Sequence, residues 1–200
     1  MEISAQMVKE LREQTGAGMM DCKKALAEAG GKFERAVEVL RERGIAKAAS
    51  KEGRSTSEGL IVSQISPGDK LGVMVEINCE TDFVARTDKF KNFVSDIAKH
   101  VATSSATDVD SLLNEKMSSG KTVSDLVTET IGLVGENMQL KRFARFVGEG
   151  FVTNYIHPGD KLGVMVEIAA AKASADMNGF RAFARDVAMQ IAATNPQAVN

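Results

Sequence analysis

The sequence predicts an α+β protein: a small helical unit at the N-terminus, then a duplicated ββα-type core of two subdomains with antiparallel strands. Three observations carry this. The first 45 residues repeat apolar residues at helical spacing and are broken by glycine pairs. "PGDKLGVMVEI" occurs twice without a change, at Pro67–Ile77 and Pro158–Ile168. Each copy is followed by a segment with phenylalanines and small residues three and four apart, "KFKNFVSDIAKHVAT" and "GFRAFARDVAMQIAA".

The N-terminal unit reads as three short helices. Ser4 is a good N-cap, with Ile3 and Val8 placed as a hydrophobic staple. Val8 and Leu11 carry the apolar face, and Gly16 and Gly18 end the helix. The second helix begins near Met19, puts Cys22, Ala25, Leu26 and Ala29 on one side, and stops at Gly30-Gly31. The third, "FERAVEVLRERG", aligns Phe33, Ala36, Val37 and Leu40 before Gly44. The polar stretch that follows has no apolar period and reads as a linker. The expected domains are 1–46 (helices), 47–59 (linker), 60–147 (first core subdomain with a helical connection) and 148–200 (second core subdomain).

Within each copy the order is strand, Pro-Gly-Asp-Lys turn, strand, loop, helix. Proline supplies a fixed φ, glycine a positive one, and the flanking Val and Ile favour strands. Upstream, "GLIVSQIS" matches "GFVTNYIH" in pattern. Downstream, Phe90, Phe93, Asp96 and Ile97 correspond to Phe180, Phe183, Asp186 and Val187. Between the copies two helices are expected, capped by Asp108 and Thr122, and "MQLKRFARFVGEG" reads as a strand leading into the second copy.

Composition narrows the function. Hydrophobic residues make up 44% and charged residues 26% of 200 positions, an ordinary globular balance. A net charge of −2 lacks the basic excess that phosphate binding needs, so no direct nucleic-acid partner is expected. The N-terminus has no apolar signal region, and the longest apolar runs are too short to span a bilayer. Cys22 and Cys79 lack metal-ligand spacing and read as free thiols in a reducing compartment; His100 and His157 are too scattered for a metal cluster. The expectation is a cytoplasmic protein without cofactor, metal or membrane partner.

The most informative stretch is "NCETDFVARTDKF", Asn78–Phe90. After the shared "VEI" it has no equivalent in the second copy, which continues "AAAKASADMN" with only Met177 as a large apolar residue. A shared scaffold with one divergent loop is how a surface site is grafted on a fold. Phe83 stands among Glu80, Thr81, Asp82, Arg86 and Asp88. Either it anchors its own loop or it is presented to a partner.

"LREQTGAGMMDCKKAL" (Leu11–Leu26) and "EINCETDFVAR" (Glu76–Arg86) closely resemble the two signature stretches of the bacterial elongation factor Ts family, and "GENMQLKRFARF" resembles a third segment. The resemblance runs in order along nearly the whole chain. It implies a UBA-like N-terminal domain and a non-enzymatic guanine-nucleotide exchange factor of translation elongation. Such a factor binds elongation factor Tu·GDP and expels the nucleotide. The implied wedge is Thr81, Asp82, Phe83 and Val84, with Asp82 and Phe83 entering beside the partner's Mg²⁺ and phosphates, and Thr81 and Asn78 holding the loop. The implied docking contacts are Val8, Lys9, Met19 and Met20, with His157 beside the second turn. Two adjacent methionines cannot both face one small core, and thioethers suit an adaptable surface. Their alternative is one core and one merely exposed residue; for His157 it is a solvated turn. Arg12, Lys23 and Lys24 read as a solvated helix face.

The chain ends at "ATNPQAVN", where the resemblance places an inserted helical hairpin. A truncated second subdomain without a closing strand is therefore expected, and a homodimer only if that hairpin is present. Three rival readings have weaker support. No nucleophile–base spacing or phosphate loop accompanies Asp82 and Asp88 to suggest an enzyme. A three-helix bundle of this size could instead be a peptide-binding module. Lys141, Arg142 and Arg145 could meet nucleic acid, against the acidic balance of the chain.

Overall fold

The computed structural model describes residues 3–169 and 177–196. The chain divides into two compact units, one of residues 1–55 with 124–138 and one of 56–123 with 139–200.

The first unit contains α1 (Ala5–Thr15), α2 (Met19–Glu28) and α3 (Phe33–Ala49). Ser4 caps α1 as its sequence predicts, its hydroxyl accepting from the Met7 amide at 3.2 Å. Leu11, Cys22, Ala25, Leu26 and Ala36 are fully buried in one core, and Ile3 packs against its edge. Each buried leucine contributes about 1.5–3 kcal/mol, and the alanines let the helices approach closely enough for that burial. Val39 is the position the sequence reading passed over: it is buried, whereas Val37 and Leu40 only pack from the rim.

α3 also corrects the expected boundary. It runs through Gly44 to Ala49, so the first three residues assigned to the linker are helical. Glycine inside a helix costs about 1 kcal/mol; a Cβ on Gly44 itself would meet nothing within 4 Å, and the close approach falls on Gly132. Helix α7 (Val123–Val134) crosses α3 at this point: a Cβ on Gly132 would stand 2.6 Å from the Gly44 Cα. The sequence reading had placed this connecting helix in the first core subdomain, whereas 124–138 belong with the N-terminal helices.

The second unit is built on two hairpins. β1 (Glu58–Ile65) pairs antiparallel with β2 (Leu71–Cys79), Glu58 opposite Cys79 and Ile65 opposite Gly72. β1 thus starts inside the expected linker. β3 (Met138–Val147) completes a three-stranded sheet in the order β1-β2-β3, with Arg142 Nε 2.6 Å from Glu76 Oε2 of β2. The segment expected as a strand leading into the second copy is one, and it joins the first sheet. β4 (Phe151–Ile156) and β5 (Gly163–Ile168) form a second, antiparallel two-stranded sheet.

The helices of this unit follow the strands. α4 (Asp82–Ala85) and α5 (Asp88–Thr103) come after β2, and α8 (Met177–Thr194) after β5. The short α6 (Val109–Asn114) is closed by a capping box between Asp108 and Ser111. α5 is strongly amphipathic, burying Phe90, Phe93, Val94, Ile97 and Val101.

The two PGDK turns take the same backbone form. Asp69 N–H donates to Ser66 O at 3.0 Å, and Asp160 N–H to His157 O at 3.0 Å. Proline sits second and glycine third (φ 93° and 97°), the arrangement of a type II turn, and each aspartate follows in the left-handed region at 56° and 57°. The hairpins meet through these turns: Ile61 N–H donates to Asp160 O at 2.6 Å and Val152 N–H to Asp69 O at 2.8 Å. Backbones approach most closely at Gly72 and Gly163. A Cβ on Gly72 would meet Val152 and Met165; one on Gly163 would meet Ile61 and Met74. Lys161 reaches Glu58, Lys70 reaches the carbonyl of Glu149, and Arg181 pairs with Asp69 while lying 5.6 Å from the Phe151 ring centre.

One correspondence fails. Phe93 is 5% exposed but Phe183 is 57% exposed. The position that is covered on α5 lies open on α8. Among the described residues no helix is long and apolar enough to cross a membrane.

Candidate functional site

β2 ends at Cys79, and the chain must turn from sheet to helix within a few residues. The stretch read as a loop forms a one-turn helix, α4. Thr81 takes extended geometry (φ −127°, ψ 152°), and its hydroxyl accepts from the Val84 amide at 3.4 Å. Ala85 faces inward and is buried. Thr87 then opens α5, accepting from the Phe90 amide at 3.3 Å. Asn78 ties the end of β2 to the start of β1, its Nδ2 donating to Thr56 O at 3.2 Å. Asn78 and Thr81 thus hold the segment through side-chain-to-backbone bonds, as expected of them.

This packing decides the question about Phe83. With Ala85 turned in, Phe83 projects outward and is 81% exposed, the most exposed large apolar side chain among the described residues. It does not anchor its own loop. Val84 is half-buried beside it. Asp82 carries a negative charge on the same turn, 2.9 Å from the Arg86 guanidinium one turn on. Both groups are substantially exposed, so water screens the pair, and a partner's charge can compete for either member.

A second exposed apolar feature lies in the helical unit. Met19 and Met20 open α2 behind Gly18 and are 57% and 63% exposed. Both face solvent, whereas the sequence left one of them free to be core. Lys9 is exposed on α1, 3.8 Å from Glu13. Val8 differs from these three. At 6% exposure it lies in the helical core with Leu11, because the staple that makes it a good N4 residue also turns it inward. The structure places Val8 in that core, and its burial does not favour the direct contact that the resemblance implies.

His157 is exposed at the second turn, its Nδ1 2.8 Å from the Tyr155 hydroxyl. Its backbone closes the hairpin, His157 N–H donating to Leu162 O at 2.8 Å. The turn therefore explains the backbone at this position, and the tyrosine orients the ring.

The structure gathers Thr81, Asp82, Phe83 and Val84 on one turn, and Met19 and Met20 on another. Two residues that the sequence reading did not single out also touch the first turn. Cys79 Sγ lies 3.2 Å from Thr81 O, and Thr87 Oγ1 donates to Val84 O at 2.8 Å. Thr87 followed by Asp88 is a legible helix-start signal; nothing in the sequence marks Cys79. Cys22 and Cys79 are both buried and form no disulfide, and no group of three His, Cys, Asp or Glu among the described residues could hold a metal ion.

The stretch is a side-chain-capped turn that leaves one aromatic ring exposed beside a carboxylate. Residues 80–200, which begin just before the cap of α4, match the family model described as "Elongation factor TS". Elongation factor Ts of Clostridium kluyveri is 52% identical over 197 residues, covering 97% of this chain and 63% of the relative. That of Clostridium perfringens is 52% identical over 195 residues, with the same coverage. That of Clostridium botulinum (strain ATCC 19397 / Type A) is 49% identical, covering 99% of this chain and 64% of the relative. The chain thus spans somewhat less than two thirds of the length of these curated relatives. On the family model and on identity over nearly its whole length, the chain belongs to the elongation factor Ts family.

Proposed function

We propose that this chain is a guanine-nucleotide exchange factor for elongation factor Tu, with Phe83 as the wedge that opens the nucleotide site. The observation that carries the reading is a phenylalanine 81% exposed on a side-chain-capped turn within the matched span. A ring held out in water costs solvation, and a turn braced on both sides costs entropy; a partner surface that buries the ring offsets both.

The chemistry follows from residue types. Phe83 enters between elements of the partner and displaces groups that position the Mg²⁺ and phosphates. Asp82, exchanging Arg86 for partner groups, brings negative potential toward the bound diphosphate. The α1–α3 unit acts as a UBA-like docking domain through Lys9, Met19 and Met20, whose flexible thioethers adapt to a partner surface. The two hairpin–helix halves act as a duplicated scaffold, with His157 at the second turn as a lesser contact.

Exchange is a coupling between two ligands. The factor binds nucleotide-free partner more tightly than the GDP complex, and GDP weakens the factor by the same ratio. A buried aromatic hot spot is worth about 2 kcal/mol or more, which corresponds to about thirtyfold in rate. Phe83 therefore supplies a large share of the acceleration, and the docking unit supplies affinity.

The test is release of a fluorescent GDP analogue from purified elongation factor Tu, followed by stopped flow as this chain is titrated. The expected result is a release rate that rises and saturates with the concentration of the chain. A rate equal to the spontaneous one at every concentration contradicts the reading.

A further inference from the structure

A single helical turn cannot hold its own shape. Forming one turn fixes several residues for one or two backbone bonds, so isolated turns are unfavourable. The Asp82–Ala85 turn must therefore be held from outside, and two side chains do so from its opposite ends. At the N-terminal end, the Cys79 thiol donates to Thr81 O at 3.2 Å. The same carbonyl receives the Ala85 amide at 3.3 Å. Cys79 is fully buried at the end of β2 and pairs with Glu58 in the ladder, so it fixes the turn to the sheet. At the C-terminal end, the Thr87 hydroxyl donates to Val84 O at 2.8 Å while accepting from the Phe90 amide. Phe90 is fully buried, so Thr87 fixes the turn to the root of α5.

Phe83 sits between these two points. Its own side chain makes almost no contact with the protein, so its direction is set by the backbone alone. That backbone is held at Thr81 and Val84, the residues that receive the two side-chain bonds. We propose that Cys79 and Thr87 are positioning residues for Phe83, setting the angle at which the ring meets the partner. The inference rests on the exchange reading given above.

Simple stabilisation predicts something different. If Cys79 and Thr87 only supported the fold, their loss would lower stability and partner affinity, and its effect would not depend on Phe83. As positioning residues, they affect only what the ring does once docked. Removing them then lowers the saturating release rate, leaves half-saturation alone, and has no effect when the ring is already gone.

The experiment is the same stopped-flow release with Cys79→Ala, Cys79→Ser, Thr87→Val and Thr87→Ser, each also combined with Phe83→Ala. Unfolding midpoints are recorded for every variant. Cys79→Ala and Thr87→Val should each lower the saturating rate about fivefold, the scale of one hydrogen bond. Half-saturation should stay within about twofold, and the serine variants, which keep a donor, should recover most of the rate. In the Phe83→Ala background both losses should vanish. Should Cys79→Ala not fold, Thr87→Val carries the same test, because Thr87 is exposed. Equal losses with and without Phe83, or serine variants no better than Ala and Val, overturn the proposal. So do wild-type rates in all four variants. Failure of the wild-type chain to accelerate release at all sinks the exchange reading itself and this inference with it.

Discussion

The two hairpin–helix halves share a turn, a strand sequence and a helix pattern, yet they present different surfaces. In the first, β2 runs into the braced turn that holds Phe83 out, and α5 buries both its phenylalanines. In the second, Phe180 packs edge-on against Phe151, 5.2 Å between ring centres, while Phe183 is exposed. Likeness in sequence specifies the hairpin and the turn. It does not specify how far each helix position is covered, since Phe93 and Phe183 stand at matching positions with opposite exposure.

That contrast can be broken by mutation. The largest effect should come from Phe93→Ala, which empties a buried site and costs about 3–5 kcal/mol. Phe183→Ala should cost less than about 1 kcal/mol, because its ring is mostly in water. Chemical denaturation of both variants measures the difference, and equal losses would mean that the exposure of Phe183 is wrong.

Next come the junction glycines, where the halves should behave alike. Gly72→Val and Gly163→Val each force a side chain into the opposite hairpin and should cost about 1–3 kcal/mol. A large loss at one and none at the other would show that the reciprocal packing is unequal. Arg181→Ala probes a link between the halves, since Arg181 pairs with Asp69. Its pair is partly exposed, so the expected cost is below about 1 kcal/mol and should shrink further in concentrated salt.

The smallest effect sharpens the comparison through pH. Only the first half leads into α6, whose end carries Glu115. That carboxyl is held below the usual carboxylate range, first by the Ser104 hydroxyl, then by the Ser105 amide and His100 at 3.1 Å. A depressed folded-state pKa stabilises the fold above the unfolded value of 4.5, and the contribution is lost as pH falls through the lower folded value. Glu115→Gln should therefore lower stability at neutral pH and converge on the unmutated chain as pH falls, which flattens the acid side of the stability profile. An unaltered acid side would contradict the assignment.

Much of this was legible in the chain. Ser4, Gly16 and the PGDK turns are local signals, read correctly because capping and turn geometry depend on neighbours in sequence. The repeat also singled out the divergent stretch after β2 as the candidate site. What escaped was set by distant packing. Gly44 reads as a helix stop, yet α3 continues through it to Ala49, with Gly132 of α7 packed against its backbone. Val8 reads equally well as core or contact, and only its burial decides. Phe83 could be resolved no further than two alternatives, because the inward turn of Ala85 is what sends it outward. Cys79 carried no signal at all, since its role depends on a carbonyl two residues on whose direction the sequence does not state.

The central claim concerns one exposed ring, and one paired measurement addresses it. Release of fluorescent GDP from elongation factor Tu is followed at saturating concentrations of this chain and of Phe83→Ala, alongside their binding affinities and unfolding midpoints. The account predicts a saturating rate lowered about tenfold or more, with an unchanged unfolding midpoint and measurable residual binding. Equal acceleration by both chains would contradict it and would move the exchange mechanism away from the Asp82–Ala85 turn.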